Sequence, residues 1–218
     1  MNLTTPLALY ASITSELHEP LYFPGNPRFY TGFDTLSYAP LIAQFQIWCA
    51  LTPAAGGEGF NIVNGDTASW QRMWPRLAKR FGCKVPERQF AEPRGPFYDE
   101  SVLSEHPPLE DQAVASGLVG LVERGRRVNR ISLTKWAERE EVKQAWERIC
   151  AREGLEREAF AQATWTFADF VLGRGYDTIQ SMSKARKLGW TGYVDTWESF
   201  EATFDELEAN KVIPTRDR

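Results

Sequence analysis

Histidine occurs twice, methionine three times and cysteine three times in 218 residues. Cys49, Cys83 and Cys150 are far apart and odd in number, and no CxxC is present. That excludes a disulfide framework and reads as free thiols in a reducing cytosol. Neither His18 nor His106 has metal-ligand spacing, and HEPLY lacks the second histidine of HExxH, so no metal site is expected. No stretch approaches the ~18 apolar residues of a membrane span. The segment MNLTTPLALYASITSEL has no basic n-region and no apolar run of signal length. A soluble, cytoplasmic protein without a membrane span is the expectation. Positive charge is not in excess either: the net charge is −4, the pI about 5.4. That disfavours nucleic acid as a partner. The cluster Arg124, Arg126, Arg127, Arg130 reads as a solvated helix end rather than a phosphate site. GxSxG, a P-loop and a paired Cys/His signature are absent as well.

What is present is ordinary in bulk and unusual in aromatics. The chain is 43% hydrophobic and 25% charged, which are globular values. A chain of this size buries roughly 70% of its unfolded surface without staples. Eight Trp, thirteen Phe and seven Tyr supply core area and also suit a pocket for a flat or hydrophobic ligand.

The pattern is mainly helical, of the α+β class. Thr5-Pro6 opens a helix carrying Leu7, Tyr10, Ile13 and Leu17. Leu21–Phe23 and FNIV (60–63) read as strands. Ser37 caps a helix bearing Leu41, Phe45, Trp48 and Cys49. Trp70, Met73, Trp74, Leu77 and Phe81 form one face of a helix that Pro75 should kink and Gly82 should stop. Residues 84–111, with five prolines and seven acids, read as a loop or lid. Helices follow over about 112–124, from Ser132 or Thr134 to Gly154, around ATWTFADFVLG, over DTIQSMSKARKLG, and from Asp195 or Thr196 onward. Two portions are expected, 1–82 and 83–218, which can pack as one domain.

Groups for chemistry are few. Gly117, Gly120 and Gly125 sit in a helical pattern and follow no strand, so they do not make a dinucleotide loop. Seven tyrosines are followed four positions on by Thr14, Asn26, Asp34, Ile42, Val102, Gln180 and Trp197, never by a lysine. The tyrosine–lysine pair of a short-chain dehydrogenase is therefore absent. Asp66 reads as the cap of the helix after it. Asp169, on an apolar helix, is a candidate acid or base, with a structural acid as the alternative. His106 on the lid is a candidate general base or a solvated loop histidine.

FNIVNGD followed by W..MWP.LA..FG resembles the FN.TNGD…W…W..IA..FG signature of the progesterone 5-beta-reductase/iridoid synthase-like (PRISE) family. These are atypical extended short-chain dehydrogenases that reduce activated C=C bonds of enones with NADPH. LALYASI, PLYFPG, LIAQFQIWCAL, TFADFVLG and the closing SMSKARKLGWTGYVDTWESFEATFDELEANKVIP are also similar to family segments. The resemblance runs from Met1 to Pro214, in a style closer to a fungal natural-product branch. It implies that Met1 corresponds to an internal position. The Gly-rich cofactor loop, most of the parallel sheet and the catalytic Tyr and Lys would precede it. What the chain retains would be the substrate-binding half and a remnant of the Rossmann sheet.

Three readings follow from that resemblance. The first is a cofactor-independent cyclase, isomerase or tailoring enzyme of secondary metabolism. It would act on a hydrophobic small molecule held by Trp165, Phe167, Phe170 and Trp74. The second is a truncated or split reductase, which would use NADPH only with the other half supplied. The third is a non-catalytic partner-binding protein. No cofactor is expected for this chain by itself. A homodimer through unpaired strand edges is the simplest assembly.

Overall fold

The computed structural model describes residues 2–91, 94–102, 104, 110–118 and 125–215. Among these, eleven α-helices and one two-stranded sheet are formed, an architecture compatible with the α+β class.

Helix α1 (Thr4–Glu16) is the centre of the fold. Every residue from Pro6 to Thr14 is buried. It carries no charged residue from Thr4 to Ser15, as suits a helix enclosed on all sides. Around it pack α7 (Glu140–Glu153), α9 (Trp165–Leu172) and α11 (Thr196–Ala209). Helix α4 (Trp70–Arg80) presents Trp70, Met73, Trp74 and Leu77 to the same core, as its 3.6-residue spacing predicts. It runs unbroken through Pro75 and stops at Gly82, whose φ is +67°. Helix α7 likewise ends in left-handed Gly154.

The core is strongly aromatic. Tyr10 meets Trp136 edge-on at 4.8 Å and Phe23 meets Trp74 at 5.1 Å. Three buried indoles of this core have paired N–H groups: Trp74 donates to the Leu21 carbonyl (2.9 Å), Trp146 to the Arg157 carbonyl (3.0 Å) and Trp165 to the Phe160 carbonyl (3.1 Å). This main core draws residues from Leu3 to Ile213.

A second, smaller cluster lies apart from it. Leu41, Phe45, Val63, Met182, Ala185 and Trp190 are its buried members. They come from α3 (Ala39–Leu51), the segment 60–64, and α10 (Ser183–Lys187) with the chain on either side of it.

Several expectations are corrected. FNIV and Leu21–Phe23 are extended but belong to no ladder. The segment read as a lid contains β1 (Asp99–Val102), which pairs antiparallel with β2 (Arg126–Asn129), Asp99 opposite Asn129. Of the arginines read as a helix end, Arg126 and Arg127 are strand residues, pairing with Glu100 (2.6 Å) and Asp99 (3.1 Å), Arg130 lies just after β2, and Arg124 is outside the described residues. β1 carries two acids and β2 two arginines, and each acid reaches diagonally to the arginine two positions from its register partner. The helix expected over 112–124 is α5, Glu110–Ala115, with 119–124 outside the described residues. The helix expected over DTIQSMSKARKLG shrinks to α10, because Thr178 pairs with Phe33 and Thr35 instead.

Candidate functional site

The NGD turn is a structural junction. Asn64 is buried and uses its whole amide. Its Oδ1 accepts from the Tyr38 N–H (2.7 Å), and its Nδ2 donates to Thr196 Oγ1 (3.1 Å) and Ser199 Oγ (3.4 Å). Asp66 does not cap α4. Its carboxylate accepts from the Thr196 N–H (2.9 Å) and Oγ1 (2.6 Å), holding the start of α11. Gly65, at φ +109°, makes the turn, and a Cβ there would lie 2.8 Å from the Tyr193 ring. A dinucleotide pyrophosphate needs open N–H groups at a helix start. Here Tyr193 and the Asp66 carboxylate fill the turn, so these residues do not fit that group.

A groove of about 730 Å³ opens between the start of α1, the 34–38 loop with the start of α3, α9 and α11. That volume is of the size that small-molecule sites use. Phe167 and Val171 of α9, Phe200 and Leu207 of α11, Leu36 of the loop and Ile42 of α3 are its apolar lining residues. Among its polar lining residues, Asp34 and Arg174 form an ion pair, 2.6 Å apart and largely buried. Arg174 is fixed by four contacts. Its Nη2 meets Asp34, its Nη1 donates to Thr178 Oγ1 (2.8 Å), its Nε donates to the Val171 carbonyl (3.1 Å), and its plane lies over the Phe29 ring at 4.7 Å. Burial raises the Asp34 carboxyl above its ordinary range, and the guanidinium offsets part of that. The backbone of Asp34 exchanges both hydrogen bonds with Ala68, which locks its position.

The residues singled out from sequence are dispersed. Phe167 lines the groove. Trp165, 9% exposed, packs on Trp136 and Phe160 in the core. Trp74 is fully buried among Tyr10, Phe23 and Trp70. Phe170 points outward at 44% exposure. One helix turn separates these fates: on α9, Phe167 and Val171 share the groove side, Trp165 and Leu172 face the core, and Phe170 faces solvent. The Asp169 carboxylate accepts from the Leu133 N–H (2.6 Å), the Ser132 hydroxyl (2.8 Å) and the Thr134 N–H (3.1 Å). It thereby binds the start of α6 (Leu133–Ala137) to α9. His106 lies outside the described residues.

Sequence reasoning missed Asp34 and Arg174, because 140 positions separate them and neither stands in a motif. Among the described residues no group of three His, Cys, Asp or Glu could hold a metal ion, and no helix is long and apolar enough to cross a membrane.

No protein-family model matches the chain. Similar proteins do. An uncharacterised protein of Schizosaccharomyces pombe is 46% identical over 98% of this chain and 52% of its own length. The short chain dehydrogenase gsfE of Penicillium aethiopicum is 32% identical over 98% of this chain and 50% of its own. An (S)-8-oxocitronellyl enol synthase of Camptotheca acuminata is 32% identical over 98% and 45%. The chain spans about half the length of the curated relatives it matches. Over nearly its whole length, therefore, this chain has homologues that are short-chain dehydrogenase-like proteins.

Proposed function

We propose that this chain is the ligand-holding portion of a PRISE-like short-chain dehydrogenase fold. It would bind a hydrophobic small molecule of secondary metabolism in the groove walled by Phe167. The observation that carries this is the groove itself, in which Phe167, Val171, Phe200 and Leu207 stand together with the fixed Asp34–Arg174 ion pair and further polar side chains such as Gln180 and Glu206. The names of the relatives support the substrate class: one is an enol synthase for an oxocitronellyl compound, another a short chain dehydrogenase.

Within this reading the chain's own residues bind and orient. Phe167, Val171 and Phe200 remove apolar ligand surface from water. Arg174, held in plane by Asp34 and Thr178, presents a fixed positive field toward a ligand oxygen. Orientation of a reactive ligand is enough to favour one ring closure or isomerisation over others. Hydride transfer is assigned to no residue here. The sequence holds no tyrosine four residues before a lysine, and the NGD turn is filled. Asp169 serves as a brace between α9 and α6, since both its oxygens are held by donors.

A second reading is favoured by the span of the match. The chain corresponds to about half of each relative, as one portion of a split reductase would. In that case the groove binds the same class of ligand, and nicotinamide chemistry belongs to the other portion.

Calorimetric titration with a small terpenoid carbonyl compound tests the groove. Phe167→Ala is expected to weaken binding by roughly 1–3 kcal/mol, the worth of one buried aromatic contact. Phe170→Ala, on the solvent side of the same helix, is the control and should leave affinity unchanged. Equal affinity for wild type and Phe167→Ala would remove the groove from consideration.

A further inference from the structure

A second cavity, of about 260 Å³, lies away from the groove and shares no lining residue with it. Part of the stretch that reads as a lid in sequence forms one wall, from Arg88 to Phe97. The turn after α1, Arg130 and Ile131 beyond β2, and Trp136 of α6 with Arg139 form the others. Two chemistries meet in it. Tyr10, Tyr22, Phe97 and Trp136 give it aromatic walls. Arg88, Arg130 and Arg139 face one acid, Glu19, so the lining is locally basic in a chain of net charge −4. Arg130 is the inner cation, only 6% exposed. Its guanidinium lies over the rings of Tyr22 at 4.7 Å and Phe90 at 5.4 Å, and its Nη2 donates to the Phe23 carbonyl at 3.4 Å. Arg139 lies over Phe97 at 5.4 Å and is shared by Glu19 and Glu141. Arg88 is exposed and has no ion-pair partner among the described residues.

This mixed lining selects among ligands. Phosphate or sulfate would turn some of its oxygens against aromatic rings, where they find no donor. A neutral ring would gain the walls and forgo the cations. An anion with an apolar body uses both, and the planar fork of an arginine matches a carboxylate in particular. The volume is just below that of drug-sized sites and suits one ring with a short substituent. We propose that this cavity is a second ligand site, which takes a small aromatic carboxylate. Its ring lies on the aromatic walls and its carboxylate is held at Arg130 and Arg88. The site is independent of the groove and stands whether or not the groove binds a terpenoid.

The test is calorimetric titration of the full chain with benzoate. Benzamide serves as its neutral isostere and inorganic phosphate as an anion without a ring. Benzoate is expected to bind at one site, about tenfold or more tightly than either control. Arg88→Gln, at an exposed position, should weaken benzoate by about tenfold while leaving the fold intact. Arg130→Lys keeps the buried charge, loses the planar fork and should weaken it as well. The indole N–H resonance of Trp136, identified by its loss in Trp136→Phe, should shift as benzoate is added. Absence of benzoate binding, equal binding of benzamide or phosphate, or unchanged affinity in both arginine variants would overturn the inference. So would displacement of benzoate by the terpenoid carbonyl compound, which would put benzoate in the groove. A chain that binds benzoate but no terpenoid would keep this site and remove the groove reading.

Discussion

Asp169 stands on a helix with Trp, Phe, Val and Leu as neighbours, and its burial comes with three donors. An ionised carboxylate that accepts from two backbone N–H groups and a hydroxyl is stabilised as a charge-assisted cap. Replacing it with asparagine substitutes an amide that keeps one acceptor and turns an NH2 against a backbone N–H. Asp169→Asn is expected to lower unfolding free energy by about 2–4 kcal/mol, since it leaves buried donors unpaired. Urea denaturation measures this. Turnover lost with stability unchanged would instead identify a proton-moving group. The same logic covers Arg174, whose every donor nitrogen is engaged. Its rigidity, more than its charge alone, is what a ligand oxygen would meet.

At the scale of elements, the β1–β2 pair depends on Asp99. Lys135 and Arg127 hold its carboxyl below the ordinary carboxylate range. A depressed folded-state pKa contributes stability that is present above the unfolded value, about 3.9, and lost as pH falls through the folded value. Thermal unfolding of wild type should therefore drop from about pH 4 downward by an increment that Asp99→Asn lacks. At pH 7 that variant should be less stable by roughly 0.5–1 kcal/mol, the scale of partly exposed ion pairs. Identical pH profiles for the two proteins would remove Asp99 from the balance. This pair also marks where sequence reading stopped. Helices were legible where apolar residues recur at helical spacing and a stop follows, as in α4 with Gly82 and α11 with Asp195, whose carboxylate accepts from the Glu198 N–H. The hairpin-like pair was not, because Asp99–Val102 and Arg126–Asn129 are short, polar and 24 residues apart. Phe167 was identified through a family segment, yet periodicity alone could not separate its groove side from the core side of Trp165. Pairings such as Asp34 with Arg174 are set by tertiary folding and leave no local trace.

For the whole molecule, two apolar clusters of unequal size imply unequal stability. The main core encloses α1 on all sides, whereas the α3 cluster has one face in water. Amides of α3 and α10 are expected to exchange through a sub-global opening at lower free energy than those of α1 and α7. Native-state hydrogen exchange in low denaturant reads the difference directly. A single common opening energy would show that the two clusters unfold as one unit.

The enclosure of α1 also sets an order of events on the ribosome. Its sheath is built from α7, α9 and α11, and α11 runs to Ala209. At 5–20 residues per second, roughly 10–40 s pass between synthesis of α1 and synthesis of its last wall. During that interval a helix whose residues Pro6 to Thr14 are all buried in the finished fold lacks part of its native sheath. Such a nascent chain is a client for holding factors that bind apolar segments near the exit tunnel. A stop codon placed before α11 should yield a product that is degraded or insoluble, since α11 and the buried Ile213 are lost together.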